Sequence, residues 1–431
     1  MPQTAAPDRA VADELCRFID ESPSPYHAVA TAAALLDEAG FEEAALDRPL
    51  PTGAGGRYVR RGGSLVAWRQ PSGDVRPFRI VGAHTDSPNL RVKPRPDRVT
   101  AGVRQLGVEV YGGALLNSWL DRDLGLSGRV SVSTPDGPQL RLVRIDEPLL
   151  RVPQLAIHLD REIGTEGLRL NPQTHLAPIW DLDGDRGSGA GFLGLLAERL
   201  DVGAGDILAW DVMVHDLTPS RRTGVDGVFV SAPRLDNLCS SFAGLRGLLA
   251  APEDAPVVPV VCLYDHEEVG STSSTGADGA LLVSVLERIA LAAGADRSDL
   301  HAALAGSLCV SADMAHATHP NYADRHEPEH QVALNGGTVV KVNANQRYAS
   351  DAESIGILLQ ACADDGIPTQ RFVTRTDLPC GSTIGPVTAA RLGIPTVDVG
   401  IAQLAMHSAR ELCGADDPSW YVATMAAVLR G

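Results

Sequence analysis

The stretch Val257-Val258-Pro259-Val260-Val261-Cys262-Leu263-Tyr264-Asp265-His266-Glu267-Glu268-Val269-Gly270 decides how the rest of the chain is read. Its apolar, β-branched first half is a strand, and the strand ends by exposing two adjacent carboxylates. Carboxylates that face one cleft repel and raise each other's pKa, so a bound cation accounts for the pair. One carboxylate could ligate a metal while the other stays free as a base.

The pattern recurs along the chain. Phe78 to Ala83 runs into His84-Thr85-Asp86-Ser87-Pro88. Val228 to Ser231 leads through Pro233 to Arg234-Leu235-Asp236-Asn237. Ser307 to Ala312 ends at Asp313, and Pro395 to Ile401 opens a loop that carries His407. Each is a short apolar segment delivering a His or an acid on its C-terminal side, and ligands of open α/β sheets bind outside the carboxyl ends of the strands. A lone strand-end Asp is most often a turn or helix cap, and a lone His is more often structural than a ligand. Five such ends with two His, two Asp and a Glu-Glu pair instead fit two divalent ions held by nitrogen and oxygen without thiolate.

At 431 residues the chain exceeds one simple core, which predicts two domains. No apolar run is long enough for a transmembrane helix. The first nine residues lack a basic region followed by an apolar core, so no secretory signal is read there. A net charge of −17 argues against nucleic acid or an anionic membrane as partner. The seven cysteines show no paired spacing, and Cys262 and Cys309 fall inside apolar strands as reduced hydrophobes. A cytoplasmic location follows. Of 37 basic residues only Lys93 and Lys341 are lysine, which marks Lys341 as a place where a compact point charge matters more than a planar fork.

The opening fifty residues read as helix, with Ser24 as N-cap and Pro25 at the first helical position. Ser64 to Trp68 reads as a strand. From about Arg91 the grammar changes: Val108-Glu109-Val110-Tyr111 and Val130-Ser131-Val132 alternate, and Pro135-Asp136-Gly137 turns the chain into Leu140-Arg141-Leu142-Val143. Such hairpin grammar continues to about Val225. Alternating strands and helices then resume, with helices near Ala280–Ala293 and Ser350–Ala363. The expectation is an α/β protein, with a doubly wound mixed sheet in residues 1–91 and 227–431 and an inserted mainly-β domain in residues 92–226. Every metal candidate lies outside the insertion.

Two resemblances fail at the residue level. Asp181-Leu182-Asp183-Gly184-Asp185 opens like an EF-hand loop, but Arg186 and Phe192 stand where Gly and Glu are needed. A helix Gly191–Leu200 should follow it. His266-Glu267 opens like the helical zinc motif, but Gly270 occupies the second histidine position.

Assembled, these strings resemble the aspartyl aminopeptidase family of dinuclear zinc metallopeptidases. The matching segments are Ser22-Pro23-Ser24-Pro25-Tyr26-His27, His84-Thr85-Asp86-Ser87-Pro88, Leu155-Ala156-Ile157-His158-Leu159, Arg234-Leu235-Asp236-Asn237 and Asp265 to Ser271. Ser311-Ala312-Asp313-Met314-Ala315-His316, Asn345-Gln346-Arg347-Tyr348-Ala349 and Gln403-Leu404-Ala405-Met406-His407-Ser408 complete the set. The resemblance implies that Asp236 bridges two divalent ions, zinc with manganese or cobalt as alternatives. His84 and Asp313 would complete one ion, and Glu268 and His407 the other. It implies that Asp86 accepts from the far nitrogen of His84 and fixes its tautomer, and that Glu267 is the general base. His158 would reach a neighbouring subunit's site, making the insertion a dimerisation domain, while His316, Lys341 and Tyr348 would line the pocket for the substrate's N-terminal residue. A cation and a hydroxyl suit an acidic side chain, so the expected substrates are peptides with N-terminal Asp or Glu. The family further implies a homo-oligomer, a tetrahedral dodecamer built from dimers. The alternatives are a neutral or basic aminopeptidase with the same metal centre, and a non-catalytic assembly protein.

Overall fold

Four apolar strands lie side by side and parallel at the centre of a nine-stranded sheet: Val258–Tyr264, Phe78–His84, Leu308–Ala312 and Thr396–Gly400. The computed structural model of the chain describes residues 6–184 and 191–431. Their side chains alternate between two cores, as the strand period of two requires. Val81, Ala83, Val261, Leu263, Val310 and Val397 face one; Ile80, Val260, Cys262, Tyr264 and Cys309 face the other. Helices Ala10–Asp20, Pro25–Glu38, Leu235–Ala250, Ala352–Asp364 and Asp417–Arg430 contribute to the first core. Helices Leu281–Ala292, Arg297–Ala305 and Ile384–Leu392 contribute to the second. A parallel sheet covered on both faces needs no polar face, which is why these strands read as apolar runs rather than alternations.

Ser64–Gln70 joins this sheet antiparallel to Val258–Tyr264, and Thr338–Val342 joins antiparallel to Thr396–Gly400. The α/β architecture is therefore doubly wound on a mixed sheet. The four central parallel strands end on one edge, so His84, Asp313 and the Glu267-Glu268 turn leave the sheet on the same side. A separate five-stranded sheet contains Arg221–Thr223, Phe229–Ala232, Glu411–Gly414, Ala402–Leu404 and Ala315–His316. This corrects one expectation: the strand preceding Asp236 is not part of the main sheet.

The chain divides into two compact units. The first comprises Met1–Asp86, Ser220–Met406 and Glu411–Gly431, and the second Ser87–Pro219 with His407–Arg410. The second unit holds a six-stranded antiparallel sheet with Phe192 and Leu196 of helix Gly191–Leu200 in its core. The sequence boundary after residue 91 falls inside the strand Asn89–Thr100, and the one after 226 falls in a 3₁₀ turn of the first unit. The change of composition marks where the hairpins become obvious, a few residues after the chain has already crossed over. The first five residues and residues 185 and 186 of the acidic loop, on which two sequence readings rest, lie outside the described residues. All seven cysteines are free thiols, six of them buried. Among the described residues no helix is long and apolar enough to cross a membrane.

Candidate metal centre

After Tyr264 the chain must reverse within a few residues. His266 adopts positive φ (64°), a 3₁₀ turn covers Glu267–Val269, and Gly270 follows at φ 95°. A left-handed non-glycine residue is a strained conformation, held only where surrounding contacts over-determine it. Here those contacts are visible. Asp265 N–H donates to Ser64 Oγ at 2.9 Å, and the buried Asp86 carboxylate accepts the N–H groups of Glu267 and Glu268 at 3.1 Å each. The two glutamates are thus fixed from the backbone.

His84 ends its strand buried, with 1% of its surface exposed. Its Nδ1 lies 2.9 Å from the Asp86 carbonyl oxygen and 3.3 Å from Asp86 Oδ1. Ser241 Oγ donates to the His84 carbonyl. On the other side of the ring, Nε2 is 3.3 Å from Asp236 Oδ1, 3.7 Å from Asp313 Oδ1 and 3.8 Å from Glu267 Oε2. Asp236 follows Arg234, another left-handed residue, and departs from helical dihedrals at the start of Leu235–Ala250. Its N–H donates to Glu411 Oε2 at 2.9 Å, and Asn237 Nδ2 donates to Ala312 O at 2.8 Å. Asp313 N–H donates to Val399 O at 2.9 Å.

So many carboxylates around one imidazole have an electrostatic consequence. Burial opposes a charge on His84, but Asp236, Asp313 and Asp86 outweigh it and hold its pKa well above the ordinary value. Burial drives the Glu267 carboxyl up to about 8; His84 opposes the rise, and Asp313, Asp86 and Asp236 add to it. A cation placed among these groups would relieve both frustrations. His84, Asp236 and Glu268 each offer a ligand atom, all within 4.8 Å of one another. One imidazole nitrogen with carboxylate oxygens is a donor set for zinc or a similar borderline divalent ion. The residues fit such a group.

The structure therefore brings together His84, Asp86, Asp236, Glu267, Glu268 and Asp313. It refines the expectation for Asp86: the imidazole Nδ1 sits nearer its backbone carbonyl, while the carboxylate also holds the glutamate turn. Lys341 lies next to the cluster, buried, with Nζ 3.6 Å from Asp313 Oδ2, 3.2 Å from Met314 O and 5.0 Å from the centre of the Tyr348 ring. Tyr348 is buried and meets Phe372 edge-on. His316 and Tyr348 line a cavity of about 180 Å³ that Phe372, Thr374 and Arg375 also border. His316 keeps part of its surface open, yet protein crowds its ring; desolvation first, then Lys341, push its pKa below the ordinary value. His158 stands in an exposed turn of the second unit, beside exposed Leu155, Ile157 and Leu159. His407 groups with that unit too, its Nδ1 3.1 Å from Gly113 O.

Sequence reading missed Glu411, a buried acid that orients Asp236. Nothing in its neighbourhood, Arg410-Glu411-Leu412, signals that role. It also passed over Asp398, although a charged residue within the apolar run Thr396–Gly400 is a visible signal.

A histidine and several acids gathered at the carboxyl edge of a doubly wound sheet define a metal-dependent hydrolase. Comparison with known proteins supplies the particular family. Residues 18–427 match the family model described as "Aminopeptidase I zinc metalloprotease (M18)". The chain is 52% identical over 428 residues to "Probable M18 family aminopeptidase 2" of Streptomyces coelicolor, covering 98% of both chains. It is 54% identical over 429 residues to the protein of the same name from Mycobacterium tuberculosis, covering 97% of this chain and 98% of that one. Among solved structures, that titled "Cryo-EM structure of the Ape4 and Nbr1 complex" superposes with a TM-score of 0.93 at 36% identity, covering 98% of this chain and 86% of that one. "Structure of S. cerevesiae mApe1 dodecamer" gives 0.84 at 28% identity, covering 97% and 96%. The chain belongs to the M18 family of zinc metalloproteases, and it is a metallo-aminopeptidase.

Proposed function

We propose that the protein removes N-terminal Asp or Glu residues from peptides with a centre of two divalent ions, zinc in the first instance and manganese or cobalt as alternatives. The observation that carries the reading is the carboxylate-rich cluster around His84 Nε2. Asp236 is assigned as the bridging ligand, His84 and Asp313 as ligands of one ion, and Glu268 and His407 as ligands of the other. When bound, such ions supply Lewis acidity for the scissile carbonyl and a water more acidic than bulk water. Glu267, held beside them by its backbone, takes the proton of the attacking water and returns it to the leaving amine. Asp86 and Glu411 orient the groups that do this. The buried Lys341 ammonium, with Tyr348, receives the acidic side chain of the substrate, and His316 lines the same pocket.

One observation favours a second reading. Lys341 already has a carboxylate, Asp313, at 3.6 Å, as expected of a lysine that serves the cluster rather than the substrate. In that case the same centre acts on neutral or basic N-termini. A panel of substrates with Asp, Glu, Leu and Lys leaving residues, run with and without added zinc, manganese and cobalt, separates the two. Preference for Leu or Lys would end the acidic assignment. Activity abolished by chelator and restored by metal excludes a non-catalytic assembly protein.

For assembly, we infer a homo-oligomer, a tetrahedral dodecamer built from dimers, in which the second unit dimerises and His158 acts in a neighbour's site. Support comes from a relative whose title describes a dodecamer and from the three exposed aliphatic side chains beside His158. The assigned location is the cytoplasm, consistent with seven free thiols.

A further inference from the structure

Asp398 is a buried carboxylate to which the reaction gives no part. It occupies the middle of the strand Thr396–Gly400 with none of its surface exposed. A core strand at this position would be served by valine, since a buried carboxylate must be matched by donors. Asp398 is matched from three different elements. Ser311 Oγ, directly opposite on the parallel strand Leu308–Ala312, donates to Oδ1 at 2.7 Å. Thr383 Oγ1, at the N-cap of helix Ile384–Leu392, donates to the same oxygen at 2.5 Å. Ala349 N–H donates to Oδ2 at 2.6 Å, and the Asp398 N–H donates back to Ser350 Oγ at 2.8 Å. The loop that carries Tyr348 is therefore tied twice to this one residue. Its preceding residue is tied to the Gly381–Thr383 segment as well, through Arg347 Nε to Gly381 O and Ser382 Oγ to Arg347 O. On the other side, Lys341 follows Val340, which pairs with Val399. Gly385 leaves room for the carboxylate: a Cβ there would lie 2.3 Å from Oδ2.

We propose that Asp398 is a positioning residue for the substrate pocket, fixing the Tyr348 loop through Ala349 and Ser350. The inference rests on the reading of Tyr348 and Lys341 as pocket residues. It deepens that reading by naming what holds the pocket's shape. Asp398 acts only through others, so its loss should weaken substrate binding without disturbing the metal centre. Burial raises the Asp398 pKa above the ordinary carboxylate value, and Lys341 is foremost among the groups that oppose the rise.

The test compares Asp398→Ala, Asp398→Asn and Tyr348→Phe in the full-length, metal-loaded protein, with KM, kcat and metal content read separately. Asparagine can keep all three contacts, because the Ser311 and Thr383 hydroxyls can rotate to accept its amide. Expected is an Asp398→Ala enzyme with full metal content and a KM raised about tenfold or more, the usual scale for removing an orienting partner, with kcat changed far less. Asp398→Asn should recover most of that loss. In the double variant Asp398→Ala/Tyr348→Phe the losses should fall short of additive, since both act on one contact. An unchanged KM in folded Asp398→Ala, or an equal fall in kcat and metal content in both Asp398 variants, overturns the proposal. If Tyr348→Phe leaves KM unchanged, the pocket reading fails and the proposal goes with it; if Tyr348→Phe raises KM and Asp398→Ala does not, only the proposal falls. Should Asp398→Ala fail to fold, Ser350→Ala decides the matter. It removes the acceptor of the Asp398 N–H and so cuts one of the two ties between Asp398 and the Tyr348 loop, and an unchanged KM would overturn the proposal.

Discussion

Asp86 holds Glu267 and Glu268 at once, with Oδ1 accepting one N–H and Oδ2 the other, each at 3.1 Å. A single carboxylate thus sets the spacing between the assigned base and the assigned ligand, and its own backbone carbonyl meets His84 Nδ1 at 2.9 Å. Asp86→Asn replaces one acceptor with a donor that faces an N–H. Metal affinity or turnover should fall about 10- to 100-fold, the usual effect of removing an outer partner of a metal ligand. Competition with a chelator of known affinity measures the first quantity. Wild-type affinity and turnover together would show that the clamp does not matter.

The two glutamates should be separable by mutation. Glu267→Gln should keep its metal while turnover drops about 10²- to 10⁴-fold, the contribution of a positioned acid-base group. Asp236→Asn should lower metal occupancy instead. Elemental analysis of both purified variants checks this, and loss of metal from Glu267→Gln would mean that the roles of Glu267 and Glu268 are exchanged.

Metal loading should release protons. In the metal-free protein the surrounding carboxylates make His84 hold its proton to higher pH than an ordinary histidine, and burial drives Glu267 up to about 8, so that it holds a proton at neutral pH. A metal ligand must shed its proton and a nearby cation favours the ionised base. Apparent metal affinity should therefore rise with pH between about 6 and 8. The sign for stability is opposite: both native pKa values exceed their unfolded values, so the metal-free native state binds more protons and loses stability as pH rises through this range. Calorimetry in two buffers of different ionisation enthalpy detects the protons, and a proton count of zero at pH 7 would contradict the electrostatics.

Lys341→Met separates the two specificity readings. If the ammonium pairs with the substrate, acidic substrates should lose about 1.5–3 kcal/mol, the scale of a hydrogen bond to a charged group, and a Leu substrate should change little. Equal loss on all substrates would assign Lys341 to Asp313 instead.

Assembly can be tested by complementation. Two inactive variants, Glu267→Gln and His158→Phe, are mixed after dissociation and reassembled. Partial activity is expected, because some sites would combine an intact Glu267 with a neighbour's intact His158. No rescue in verified mixed oligomers would return His158 to its own subunit.

Much of this site was legible because its residues stand at strand ends in apolar runs, where a His or an acid is conspicuous. His84, Asp313 and the Glu267-Glu268 pair follow directly from that logic. Asp236 was found for a partly wrong reason, since its preceding strand Phe229–Ala232 belongs to the smaller sheet. What periodicity could not convey was which backbone groups the buried acids serve. Asp86, Asp398 and Glu411 each accept backbone N–H groups from distant segments, and such pairings carry no local spacing. The domain edges at Asp86 and Ser220 lie several residues before the boundaries read at 91 and 226, because at each edge the composition changes only after the chain has crossed from one unit to the other.

The order of the central strands also bears on how the chain is made. Val258 pairs with Phe78 across the whole length of the β-rich unit, so the catalytic sheet cannot close until that unit and the strand beyond it have left the ribosome. Most of the unit is one continuous segment, Ser87–Pro219, and its hairpins are local, so its sheet can form while the rest is still being synthesised. Once folded, it draws the two chain ends together and shortens the loop that pairing must close, lowering an entropic barrier that grows with loop length. Until then Phe78–His84, an apolar strand with no parallel neighbour, waits exposed. Translation stalled between Pro219 and Val258 would leave that edge open to a holdase or to aggregation.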